Sequence, residues 1–398
     1  MSIVDDDSNL ISAIFGLNGS GKTNIITCVK SIKDLLLAKT NVEEFLSNLN
    51  RDHELPETVN FGMTFDAYGK VYRYEATLNV NRKRFVSESL WSTFDGETHS
   101  VLETVGAGCK LNPVGTDSVR PIFCPFGKKT ALAKFFDGFP ERLTSKEFIS
   151  KHGDGYEGAL QELIYFTEWF KSLLSVINTD SILPDVEIKS LTALLQSMDL
   201  DLKPEIVEAA DDDDVIRWIR SMTVDKMSWE SQEFSKYGVS NKTWILSFDS
   251  KTYYAELKGG ELSIHTLEFR NSSGPIAQNM LSAGQSRLVE LSPMIACQAD
   301  PILENDHVYI VDEIDRKLHT NLTLQLIRLF LEKEGHRQQL IFTTHETELI
   351  DSGFADISNM WITDRTKGEG SFLYYFPRTG LFEDPKTKFI ENDLIGGE

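Results

Sequence analysis

A chain of 398 residues with 41% apolar and 25% charged residues has enough material for one large α/β domain carrying an inserted subdomain. No apolar run approaches the roughly 20 residues that cross a bilayer, the start MSIVDDDSNL is too acidic for a secretory signal, and four scattered cysteines (Cys28, Cys109, Cys124, Cys297) without metal-ligand spacing fit buried thiols in a reducing cytoplasm. A formal net charge of −21 argues against a broad DNA-coating surface and leaves only a local basic patch open, so nucleic acid is possible as a partner but is not indicated by charge.

The first predicted element is a strand over the apolar run LISAIF (10–15). Residues 16–23 then read GLNGSGKT, which fits G-x-x-x-x-G-K-[ST], and NIITCVKSIKDLLL (24–37) follows with helical patterning. Strand, glycine loop and helix together turn backbone N–H groups towards a phosphate at a helix N-terminus. Gly16, Asn18, Gly19, Ser20, Gly21, Lys22, Thr23 and Asn24 are therefore candidate nucleotide-binding residues. Gly19 and Gly21 permit close approach of the backbone, Lys22 reaches the β- and γ-phosphates, and Thr23 offers its hydroxyl to Mg²⁺.

Three strand-like runs come next (59–66, 70–80, 84–93), with a turn at Gly69, and predict an antiparallel meander. The basic run NRKR (81–84) sits between two of them as a charged hairpin turn, and GKKTALAK (127–134) has the character of a helix start; contact with nucleic acid or an acidic partner is the alternative for both. Glycine and proline cluster from 106 to 127, which predicts a loop-rich passage. From about 135 to 236 the pattern turns helical. Apolar residues recur every three or four positions over 156–176, and 188–198 and 214–227 predict further helices. The run DDDD (211–214) is read as a solvated loop capping the next helix, with a metal site as the other reading. Strand signals return from 243 to 269.

Residues 281–285 read LSAGQ, and SRLVELSPMI continues as a helix. Ser282, Ala283, Gly284 and Gln285 thus stand at a helix start suited to hold a phosphate, or form a simple N-cap. VYIVDE (308–313) is a β-branched strand ending in two acids. Asp312 is placed to hold Mg²⁺ and Glu313 to polarise water at the γ-phosphate, against the plainer reading of a strand ending in a charged loop. LIFTT (340–344) is another buried-strand run and ends in His345, either a γ-phosphate contact or a structural histidine. Four motifs in this order serve one chemistry, which makes coincidence improbable.

That order resembles the ABC-type ATPase superfamily, which includes transporter domains and the SMC, RecF and OLD-like proteins. The resemblance implies an α/β P-loop NTPase head of ABC type, with a mixed central sheet, flanking helices, an antiparallel β-meander and an inserted helical arm. It divides the chain into head (1–134), arm (135–236) and head again (237–398). LSAGQ is similar to the signature motif usually written LSGGQ, His345 to the switch histidine, and DRKLH (315–319) occupies the place of the D-loop. Implied with them are ATP and Mg²⁺, Lys22, Glu313 and His345 as catalytic groups, and Thr23 and Asp312 at the metal. The minimum unit is a homodimer, with a larger ring left open, in which Ser282 and Gly284 act in trans on the nucleotide of the other subunit.

LSAGQSRLVELSPMI, IVDEIDRKLHTNLTLQLIRLFLE and LIFTTHETELID are more closely similar to the AAA15/OLD-like group, notably the RloA-like and AriA-like anti-phage ATPases. The meander segments YRYEATLNV and VSESLW share the likeness. This resemblance implies a cytoplasmic ATPase that senses a phage protein trigger and controls a separate, nuclease-like effector. OLD nucleases carry a Toprim domain after the switch histidine, and the 53 residues from Glu346 onward leave it no room. A RecF- or SMC-like DNA-repair ATPase and an ATP-binding scaffold with little turnover are the alternatives. The chain departs from the superfamily in three places. Few residues precede the first strand, so the native start lies upstream or the adenine-stacking strands are missing or replaced. No Q-loop glutamine occurs between the P-loop helix and Gln161. Ala283 stands where glycine is usual.

Overall fold

Strand β1 (Ile11–Gly16) is buried along its whole length, as a strand flanked on both sides must be. It lies in the middle of a six-stranded sheet ordered β18-β17-β1-β16-β15-β8, where β8 is Leu174–Ile177, β15 Val308–Val311, β16 Gln339–Thr343, β17 Ser358–Thr366 and β18 Gly370–Phe376. Strands β1, β15, β16 and β17 run parallel and β18 returns antiparallel, so the sheet is mixed. The computed structural model describes residues within 11–376, apart from 38–39, 50–54, 114–121, 133–155, 178–180, 185–187, 199, 209–240 (save 216), 249–250, 259–260, 278–279, 292, 297–306, 333–337, 347, 352–357 and 367–369. The predicted helix over 214–227 (save 216), the run 211–214 and Cys297 lie outside the described residues.

Two compact units divide the chain: 1–26 with 175–398, and 27–174. In the first, one hydrophobic core joins Phe15 of β1, Tyr309 and Val311 of β15, Phe342 of β16, Leu326 and Phe330 of a helix at Thr320–Leu331, and Leu288 and Leu291 of a helix at Ala283–Leu291. A second, antiparallel sheet in this unit is ordered β10-β13-β12-β11-β9, with β14 (Gly274–Ile276) paired to β13. Its strands are β9 (Ser181–Pro184), β10 (Lys203–Glu208), β11 (Asn241–Phe248), β12 (Lys251–Lys258) and β13 (Glu261–Asn271).

The stretch expected to be a helical arm is mixed where it is described. Its helices at Glu157–Glu168 and Ile188–Ser197 match the apolar spacing, but the first passes through a π turn (Trp169–Leu173) into β8, an edge strand of the central sheet. Leu191 and Leu195 join the core that holds β1. A run such as LLSVI satisfies helix and strand periods alike, and pairing decides between them.

The second unit carries the meander, β2 (Thr58–Ala67), β3 (Lys70–Asn79) and β4 (Arg84–Phe94), as expected, with Tyr68 and Gly69 both at positive φ in its first turn. NRKR forms the next turn, where Asn79 Oδ1 accepts the Arg82 N–H at 2.8 Å. The meander continues as β5 (Glu97–Val105) and then runs on into the segment expected to be loop, as β6 (Gly108–Leu111) and β7 (Ile122–Pro125). The glycines there are turn and close-approach positions: a Cβ on Gly108 would strike the Cys124 carbonyl.

Glu88 is fully buried in β4, where its carboxylate accepts the Ala131 N–H at 2.6 Å, the Leu132 N–H at 3.4 Å and the Tyr74 hydroxyl at 3.1 Å. It thus caps the helix start predicted near 130 from inside the sheet. Glu88→Ala is expected to cost about 3 kcal/mol, because those donors stay buried and unpaired. A urea midpoint equal to that of the parent protein would show that these bonds add nothing net.

Candidate functional site

The P-loop leaves β1 at Gly16 and enters helix α1 (Lys22–Leu36). Gly16 takes φ +156° and Gly21 φ +108°. Their backbones are crowded: a Cβ on Gly16 would fall on the hydroxyls of Thr363 and Ser20, and one on Gly21 would fall on Ser371. The Ser20 and Thr363 hydroxyls are 2.5 Å apart, and Thr363 also donates to the Phe15 carbonyl at 3.2 Å. Strands β17 and β18 therefore brace the loop from behind. Asn18 and Gly19 are exposed at its crest, with Thr23 and Asn24 exposed on the first helical turn.

Lys22 folds back over this loop, its ammonium donating to the Gly16 carbonyl at 2.6 Å and the Leu17 carbonyl at 3.0 Å. Burial lowers its pKa from the ordinary lysine value, opposed by the charges of Glu313, Asp315 and Asp312. Nζ also lies 3.3 Å from His345 Nδ1, and His345 Nε2 lies 3.7 Å from Glu313 Oε1. The Thr23 hydroxyl is 3.4 Å from Asp312 Oδ1. Five residues named from sequence, Lys22, Thr23, Asp312, Glu313 and His345, thus meet at the C-terminal ends of β1, β15 and β16, where open α/β sheets bind ligands.

LSAGQ stands apart from this cluster. Among the described residues it makes no hydrogen bond to the P-loop. Ser282 Oγ accepts the Gln285 N–H at 3.2 Å while Gln285 Oε1 accepts the Ser282 N–H at 2.9 Å, a reciprocal cap on the helix that starts at Ala283. Ser282 and Ala283 are exposed. Gly284 packs against the Lys317 carbonyl, 3.1 Å from where its Cβ would sit, which joins the motif to DRKLH.

Two residues that sequence reasoning passed over hold the acids in place. Arg287 is 2% exposed and donates through Nη2 to the carbonyls of Asp312 (2.8 Å) and Glu313 (2.9 Å), while Nη1 pairs with Glu290 at 2.8 Å. The signal for it was available, since Arg287 shares the apolar helix face with Leu288 and Leu291. Thr343, fully buried at the end of β16, accepts the Glu313 N–H and donates to Asp312 Oδ1, both at 2.7 Å. The Asp312 N–H is taken by the Ile177 carbonyl of β8 at 3.2 Å. Glu313 itself sits at φ +47°, a region that L side chains seldom occupy.

Among the described residues no helix is long and apolar enough to cross a membrane. No relative among curated proteins matches the sequence. Solved structures with a similar chain path include an SMC head bound to the C-winged helix domain of ScpA, at 12% identity and TM-score 0.43, with 94% of this chain and 92% of that one covered. The SMC head domain from Thermotoga maritima is similar at 13% identity and TM-score 0.37, covering 94% and 91%. The family model for the RecF/RecN/SMC N-terminal domain matches residues 2–367, nearly the full chain. With a P-loop, a mixed sheet and paired acids already in place, this chain belongs to the RecF/RecN/SMC N-terminal domain family of ABC-type, ATP-binding heads.

Proposed function

We propose that the chain binds ATP with Mg²⁺ and hydrolyses it in pockets shared by two copies, each P-loop facing the LSAGQ of the partner. The convergence of Lys22, Thr23, Asp312, Glu313 and His345 carries this reading. Lys22 and the loop N–H groups hold the β- and γ-phosphates, Glu313 takes the proton of the attacking water, and His345 contacts the γ-phosphate. The Thr23 hydroxyl and the Asp312 carboxylate are hard oxygen donors on adjoining elements and fit Mg²⁺, whose charge, when bound, offsets that of the phosphates. The exposure of Ser282 and Ala283 supports action in trans on a second copy. The head serves, in this reading, as the sensor and switch of an anti-phage system with a separate nuclease-like effector, on the strength of the resemblance in LSAGQSRLVELSPMI and LIFTTHETELID.

Wild type is expected to bind ATP and release phosphate, while Lys22→Ala loses at least about tenfold in ATP affinity. Equal ATP binding by both forms would sink the site assignment. In cells carrying its native locus, the wild-type head should reduce phage plating, and Lys22→Ala should not. Membership of the RecF/RecN/SMC family favours a second reading, DNA repair. Tight duplex binding that weakens steeply with salt would decide for it.

A further inference from the structure

We propose that Thr343 is the positioning residue for both acids at the end of β15, using one hydroxyl to aim the carboxylate placed to take the cation and to set the backbone that carries the general base. The proposal rests on the hydrolytic reading above. Three consecutive residues hang on this one threonine. Its hydroxyl donates to Asp312 Oδ1 at 2.7 Å and accepts the Glu313 N–H at 2.7 Å, and its carbonyl accepts the Ile314 N–H at 3.0 Å.

The direction of these bonds is fixed. A carboxylate only accepts, an amide N–H only donates, and a hydroxyl has a single proton to give, so one arrangement alone satisfies both partners. The side chain cannot turn elsewhere, because Thr343 is fully buried. What it grips needs gripping. Glu313 is held at φ +47°, and without an acceptor for its N–H the turn would lose the bond that opposes relaxation. Asp312 Oδ1 faces the Thr23 hydroxyl at 3.4 Å, so the bond from Thr343 also sets the carboxylate's angle towards α1. His345 follows two residues later on the same strand end, so β16 sets the position of three site groups at once.

A purely space-filling threonine predicts something different, and substitutions separate the two roles. Thr343→Val keeps the shape and removes the hydroxyl; Thr343→Ser restores the hydroxyl; Thr343→Cys, similar in size but unbranched and a poor hydrogen-bonding group, stands in if the valine form does not fold. In the full chain, Thr343→Val is expected to lower kcat by about 10- to 100-fold with KM for ATP nearly unchanged, and to raise the Mg²⁺ concentration that half-saturates ATP binding by about tenfold. Thr343→Ser is expected to recover most of both. The binding titration uses fluorescent ATP with MgCl₂ against EDTA and needs no turnover. If wild type turned over no faster than Glu313→Gln, the hydrolytic reading would fall while the titration still judged Thr343. Equal Mg²⁺ dependence in wild type and Thr343→Val, Mg²⁺-indifferent binding by wild type, or serine and valine forms equally impaired would each overturn the proposal.

Discussion

Glu313→Gln is expected to bind ATP within a few-fold of the parent chain's affinity and to release phosphate at least about a hundredfold more slowly, with an ATP-dependent dimer accumulating instead. Glutamine keeps the length, the shape and the hydrogen bond that the residue 313 N–H donates to the Thr343 hydroxyl, so the strained turn survives. What it loses is the capacity to take a proton. It also loses its charge, one of three that act on Lys22 against the effect of burial, so a modest change in affinity accompanies the larger change in rate. Phosphate release and gel filtration with and without ATP check both halves. If wild type and variant were equally slow, the site would bind ATP without using Glu313 as a base.

The most legible parts of this molecule are those whose chemistry is contiguous in sequence. GLNGSGKT, VYIVDE and TTH each carry a strand end and its functional group in one short run, and in the structure those strand ends are neighbours in one sheet. The groups that shape the site are less legible, because they come from far along the chain. Thr363 reaches Ser20 across 343 positions, and Ser371 backs Gly21 from an antiparallel strand. Nothing in the local pattern of either residue announces that contact. Arg287 is hard to read for a different reason: an arginine in a helix is usually solvated, and only its place on an apolar face hints that it is buried.

The fold shows the same division. The meander was plain where alternation was strict and turns were marked, as at Tyr68 and Gly69. It was hidden in β6 and β7, four residues each, where Gly108 and Pro125 read as loop. In β8, pairing with the central sheet overrides a helical spacing that continues from the helix before it. Tertiary pairing, invisible to a window of a few residues, decides such short apolar runs.

A mixture of two inactive variants is expected to recover activity, and this tests the shared pocket most directly. Lys22→Ala disables the P-loop and leaves LSAGQ intact; Ser282→Arg fills the exposed start of the signature helix and leaves the P-loop intact. In a heterodimer the two damaged halves face each other, and the two sound halves form one working pocket. Random pairing makes half the dimers mixed, each with one pocket of two, so phosphate release should return to about a quarter of the wild-type rate. The variants serve because each injures a different cluster: among the described residues Lys22 bonds within the P-loop and to His345, and Ser282 is bonded to the cap of its own helix. A pocket complete within one chain predicts no recovery at any mixing ratio. Recovery to a quarter, rising and falling with the ratio of the two chains, requires that the nucleotide lie between copies.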